Sequence, residues 1–118
     1  MSAIPVEDLS PAKGKLYVEL AASPEDIRAS QALRYQVFAE ELGARLDGEE
    51  PGLDSDRFDA HCQHMLVRER DSGRIVASTR LLTDALARQA GGFYSQSEFE
   101  MDAVLALPGR RLEIGRTC

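Results

Sequence analysis

Two runs with the period of a β-strand, HMLVRER and RIVASTRLLT, are separated by only Asp71, Ser72 and Gly73. Alternating side chains on either side of so short a turn specify an antiparallel hairpin, because a parallel pair needs a crossover of roughly a dozen residues or more. The rest of the chain has to be arranged around that hairpin. KLYVELAA also alternates and puts Leu16, Val18 and Leu20 on one face. LEIGRTC, residues 112–118, sets Leu112, Ile114 and Arg116 against Glu113, Gly115 and Thr117, which again is strand period.

SPEDIRASQALRYQVFAEELG is the clearest helix. Ser23 can cap it, Pro24 suits its first position, and Asp26 three residues after the cap resembles a capping box. Leu33, Val37 and Phe38 make an apolar stripe and Gly43 ends the helix. Residues 44–60, ARLDGEEPGLDSDRFDA, have neither period, and six of the seventeen are acidic. A loop of that length inside a compact domain is often functional. DALARQAGG predicts a short helix ended by glycine, FYSQSEFE an aromatic-bearing turn or second short helix, and AVLALPGRR the approach to the last strand. Residues 1–14, rich in Pro, Ser and Gly without periodicity, predict a flexible tail. The order of elements gives one mixed α/β domain over residues 15–118.

A net charge of −6 argues against nucleic acid, whose phosphates need a basic face, and fits a substrate carrying positive charge. No apolar run approaches a membrane span, and the N-terminus lacks a signal peptide's apolar core, so the expected location is the cytoplasm. Cys62 and Cys118 are too few for a disulfide framework. HCQH (His61, Cys62, His64) does not match zinc sites, whose four ligands come in paired clusters at wider separations, and no metal is expected.

Charged residues inside apolar strands are the strongest chemical signal. Arg80 shares a strand face with Val76, Ser78 and Leu82, and Glu113 is followed three residues on by Arg116. Such groups are rarely buried without partners, and Asp56 and Asp59 of DRFD would meet Arg80 if the acidic loop folds back over the sheet.

Taken in order, LRYQVFAEELG, DSDRFD, HMLV, STRLL, GGFYSQSEFEM and LEIGRTC resemble the L-ornithine Nα-acyltransferases. These are relatives of the acyl-homoserine-lactone synthases and hemolysin-like acyltransferases within the GNAT superfamily. The resemblance covers roughly residues 15–118 and implies a GNAT-like fold, a mixed, mostly antiparallel sheet flanked by helices. It implies transfer of a (3-hydroxy)acyl group from acyl carrier protein to the α-amine of ornithine, the first step of ornithine lipid biosynthesis. Acyl carrier protein and ornithine are then the partners, with no cofactor beyond the acyl donor, and with peripheral association at the inner membrane and self-association as further expectations. By the same resemblance Glu113 and Arg80 are catalytic, and Asp56, Asp59, Arg34, Phe38 and Arg116 bind substrate. The chemistry agrees with those residue types: an ammonium must lose a proton before it attacks a thioester, and a carboxylate can take it.

The lactone synthases carry a tryptophan after the first helix, and this chain has none, which favours the ornithine branch. In the superfamily the LEIGR strand leads into a loop and helix that cradle the donor's phosphate. The expectation is therefore an N-terminal portion of a longer domain. A lactone synthase-like or other amine acyltransferase is the alternative reading. A non-catalytic half-domain associating through its last strand is another.

Overall fold

A computed structural model describes residues 15–46, 48 and 50–118. The tail expected over residues 1–14 lies outside the described residues. The hairpin forms β2 (Gln63–Glu69) and β3 (Ile75–Thr83), flanked by β1 (Leu16–Leu20) and β4 (Leu112–Gly115). The strand order is β1-β2-β3-β4 with every pair antiparallel. Gly73 closes the hairpin at φ +72°, a left-handed conformation that is open to glycine and strained for most other residues.

Register sorts the side chains into two faces. Tyr17, Glu19, His64, Leu66, Ser78, Arg80, Leu82 and Glu113 share one face, and the helix α1 (Pro24–Tyr35) packs over its β2 and β3 part. Arg68 ties the layers together, with Nη2 2.5 Å from Asp26 of α1 and Nε 2.5 Å from Glu19 of β1. The opposite face is apolar and open: Leu16, Val18, Leu20, Leu112 and Ile114 are between 45% and 63% exposed. The alternation expected for β1 stands, but its leucines and valine face away from α1.

Ser23 Oγ accepts the Asp26 N–H at 3.2 Å and Pro24 opens the helix, as the sequence predicts. The single helix expected to reach Gly43 is instead α1 followed by a wider turn, Gln36–Glu41, in which Leu42 N–H reaches back five residues to Val37. The expected apolar stripe is only half-buried. The side chains that α1 buries fully are Ser30 and Arg34, four residues apart on one face.

The apolar core lies at the other end of the covered face. Phe58 and Leu82 pack there with Ala87 and Ala90 of α2 (Asp84–Ala90) and with Phe93. Thr83 Oγ1 accepts the Leu86 N–H at 3.3 Å, which starts α2 directly at the end of β3, and Gly91 at φ +83° ends it. The aromatic turn expected after it is one 3-10 turn, Tyr94–Ser97, followed by α3 (Asp102–Leu105). Burying Leu66 and Leu82 contributes about 2 kcal/mol each. Among the described residues no helix is long and apolar enough to cross a membrane.

Candidate active site

The acidic loop folds back over the sheet, and the reason is Arg34. This arginine is 1% exposed, and its hydrogen-bond partners among the described residues all lie in the loop. The loop supplies the pairing. Arg34 Nε donates to Asp54 Oδ2 at 2.9 Å and Nη2 to the Asp54 carbonyl at 2.7 Å. Nη1 and Nη2 donate to the two Asp59 oxygens at 2.8 and 3.0 Å. Burial disfavours the charged guanidinium, but its bonds to Asp59 and the Asp54 charge outweigh that and raise its pKa. Burial pushes Asp59 up, and Arg34, the Asp56 N–H and Arg80 more than offset it, leaving its pKa below the ordinary aspartate value.

Arg80 enters the same network from β3. Its Nη1 donates to Asp56 Oδ1 at 2.7 Å and to Asp59 Oδ1 at 3.1 Å. The Asp56 carboxylate also accepts the Phe58 N–H at 2.9 Å, and Asp59 Oδ2 accepts the Asp56 N–H at 3.1 Å, so the loop holds its own shape. His64 completes the wall, its Nε2 2.9 Å from the Asp59 carbonyl.

Arg116 arrives by a different route. Plain alternation would put it on the open face with Leu112 and Ile114. Arg80 is opposite Gly115, whereas Ser78, two residues back on β3, exchanges backbone hydrogen bonds with Cys118, three residues on. One extra residue is therefore accommodated as a β-bulge, and Arg116 takes it at φ +49°, the one positive φ outside glycine among the described residues. The bulge turns the Arg116 side chain onto the face of Arg80 and Glu113. Its Nε lies 3.0 Å from Asp54 Oδ2 and its Nη2 3.7 Å from Asp56 Oδ2. Two guanidiniums lie over the Tyr94 ring, Arg80 5.3 Å and Arg116 5.4 Å from its centroid.

Glu113, on β4, holds the turn that carries Tyr94. Its Oε1 accepts the Tyr94 N–H and its Oε2 the Ser95 N–H, both at 2.8 Å, and Oε2 also accepts the Ser95 hydroxyl. Glu113, Arg80, Arg116, Tyr94 and Cys62 line a cavity of about 240 Å³. Phe58, Tyr94 and Arg116 form a wall between it and a second cavity of about 870 Å³, which also carries Asp56 and Glu98. Burial pushes the Cys62 thiol up to about 11, so it is a neutral lining group near pH 7.

With this geometry in view, the family pattern described as "Acetyltransferase (GNAT) domain" matches residues 33–118. The chain belongs to the GNAT acetyltransferase domain family. Within it, the GNAT domain is similar to three proteins named L-ornithine N(alpha)-acyltransferase. The one from Rhizobium meliloti (strain 1021) is 39% identical over 125 residues, 98% of this chain and 42% of that protein. Those from Rhodobacter capsulatus and Brucella abortus are 40% and 41% identical, over 86% and 89% of this chain. The chain spans about two fifths of the length of the curated relatives it matches. A crystal structure of TofI in a ternary complex with an inhibitor and MTA matches 88% of this chain and 56% of that one, at 23% identity and a TM-score of 0.49.

The GNAT domain brings six of the seven residues singled out from the sequence into one place. Arg34, Asp56, Asp59, Arg80 and Arg116 form a single ion-pair network, and Glu113 borders the same cavity. Phe38 lies elsewhere: it is half-buried in the wider turn after α1 and lines neither cavity. Asp59, which the resemblance makes substrate-binding, is engaged by protein groups here. It is 5% exposed, and its oxygens accept from Arg34, Arg80, Gln31 and the Asp56 N–H, so it holds the arginines in position. Asp54, Tyr94 and Ser95 were not singled out individually, although DSDRFD and GGFYSQSEFEM contain them. Counting Asp54, three guanidiniums meet three aspartates, and the cluster is charge-balanced without Glu113.

Proposed function

We propose that the GNAT domain is the acceptor side of an acyl-carrier-protein-dependent N-acyltransferase that acylates the α-amine of ornithine, the first committed acylation toward an ornithine lipid. The carrying observation is a cavity bordered by a carboxylate and two guanidiniums in a chain about 40% identical to proteins named for that activity.

The amine nitrogen attacks the thioester carbonyl carbon. A C–N bond forms, the C–S bond breaks, and the carrier's thiolate leaves and is protonated to the thiol. The ammonium must first give up a proton, and Glu113 receives it in this reading. Its Oε1 takes one protein hydrogen bond, from Tyr94 N–H, so a lone-pair site remains for the amine. The arginine–aspartate network fixes the Tyr94 wall rather than touching the reacting atoms. The acyl group arrives on the carrier protein, so the reaction as proposed needs no metal or other cofactor. It belongs in the cytoplasm, with the lipid product drawing the enzyme to the inner membrane surface.

The test is acyl transfer in a protein of the relatives' full length that contains this chain. Hydroxyacyl carrier protein is offered with ornithine or with S-adenosylmethionine. Acylated ornithine supports the proposal; turnover with S-adenosylmethionine alone replaces it with the lactone synthase-like reading.

A further inference from the structure

Three arginines converge on the site, and their bonding separates them. Arg34 has all three guanidinium nitrogens engaged by Asp54 and Asp59 and lines neither cavity. Arg80 is 4% exposed and is clamped between two aspartates through Nη1. Arg116 is the exception. Its side chain is 24% exposed and lines both cavities. Its Nε is buried 3.0 Å from Asp54 Oδ2 but off the line of a hydrogen bond, and its Nη2 is 3.7 Å from Asp56 Oδ2. A guanidinium presents five N–H donors in a planar fork. Here the fork lies 5.4 Å from the Tyr94 ring centroid, is steered by a bulge into the left-handed region, and is held by ion pairs to Asp54 and Asp56 with no hydrogen bond among the described residues.

We infer that Arg116 is the specificity-determining residue that receives the carboxylate of the amino-acid acceptor. This rests on the proposed ornithine acylation and adds which group of the acceptor is read and by which residue. A carboxylate satisfies what Arg116 lacks, two parallel charge-assisted hydrogen bonds. Glu113, in the same cavity, then faces the α-ammonium one carbon from that carboxylate. A zwitterionic α-amino acid matches both charges of the cavity at once. A diamine that lacks the carboxylate would leave the Arg116 donors unmet in a partly buried site, the condition under which polar sites reject an analogue most strongly.

The experiment compares ornithine with 1,4-diaminobutane, its decarboxylated counterpart, in a protein of the relatives' full length that contains this chain. The wild type is expected to prefer ornithine. Arg116→Ala is expected to lower kcat/KM for ornithine by about 10²-fold and for the diamine by at least about tenfold less, so that the preference for ornithine collapses. Equal losses on both acceptors would overturn the inference, since Arg116 would then only be bracing Asp54. Should Arg116→Ala not fold, Arg116→Lys carries the same comparison, because a point charge replaces the fork. Ornithine is expected to fall about tenfold and the diamine to hold, and a matched fall again overturns it. A wild type that acylates neither acceptor refutes the proposed function itself, a result distinct from any change in preference.

Discussion

Arg34 grips Asp59 through both terminal nitrogens, at 2.8 and 3.0 Å, and this fork joins helix α1 to the acidic loop across 25 residues of sequence. Neither partner lines either of the two cavities described. Removing the guanidinium would leave two buried carboxylates short of a charge, Asp54 with Arg116 alone and Asp59 with Arg80 alone. Arg34→Ala is expected to destabilise the fold by about 3–5 kcal/mol. Urea denaturation measures it, and a loss under about 1 kcal/mol would show that the loop holds its place without the arginine.

The depressed Asp59 pKa carries a pH signature. The group releases its proton more readily folded than unfolded, so its stabilising contribution is complete above the unfolded aspartate value of about 3.9. It is lost as pH falls through the lower folded value. Melting temperature should therefore drop steeply in the acid range below about pH 4, and Asp59→Asn should flatten that limb while lowering stability at neutral pH. An unaltered acid limb in the variant would assign the drop to other carboxylates.

Glu113 both anchors the Tyr94–Ser97 turn and, as proposed, takes the proton. Glu113→Gln removes the base and keeps one of the two acceptor oxygens that hold the turn, whereas Glu113→Ala removes both. Turnover at saturating substrate is expected to fall by about 10²-fold or more in Gln and Ala variants alike. Gln retaining near-normal turnover, with Ala impaired, would make Glu113 a positioning residue alone.

Cys62 offers a probe of the cavity. With its thiol pKa at about 11 against an ordinary value near 8.5, it should alkylate with iodoacetamide at pH 7.5 about 10²-fold more slowly than a free thiol. The rate should climb up to pH 11, and saturating ornithine should slow it further. Tryptic mass spectrometry distinguishes it from Cys118. A rate that ornithine leaves untouched would place the acceptor away from this wall.

What was legible in the sequence was local. The hairpin, the Ser23 cap and the Gly91 stop depend on residues within a few positions of each other. The approach of Asp56 and Asp59 to Arg80 was also readable, because a charge at an inward strand position needs a partner and only the loop is rich in carboxylates. Three features were not. Arg34 stood out only through the family resemblance, since its burial depends on a loop 20 or more residues away. Asp54 was one acid among six in a segment without a period. The face of Arg116 was misread because alternation assumes a regular ladder, and the irregularity shows only in how Ser78 pairs with Cys118.

That irregularity gives β4 a parity. Up to Gly115, odd positions look toward the site and even positions away; at Cys118 it is an even position that looks inward. Removing one residue between Gly115 and Cys118 would not merely shorten the strand. It would restore plain alternation, send the 116 side chain out beside Ile114, and leave Asp54 with one guanidinium in place of two. Within this strand, an insertion or deletion of a single residue is a change of chemistry, and length is as much a part of the site as any side chain in it.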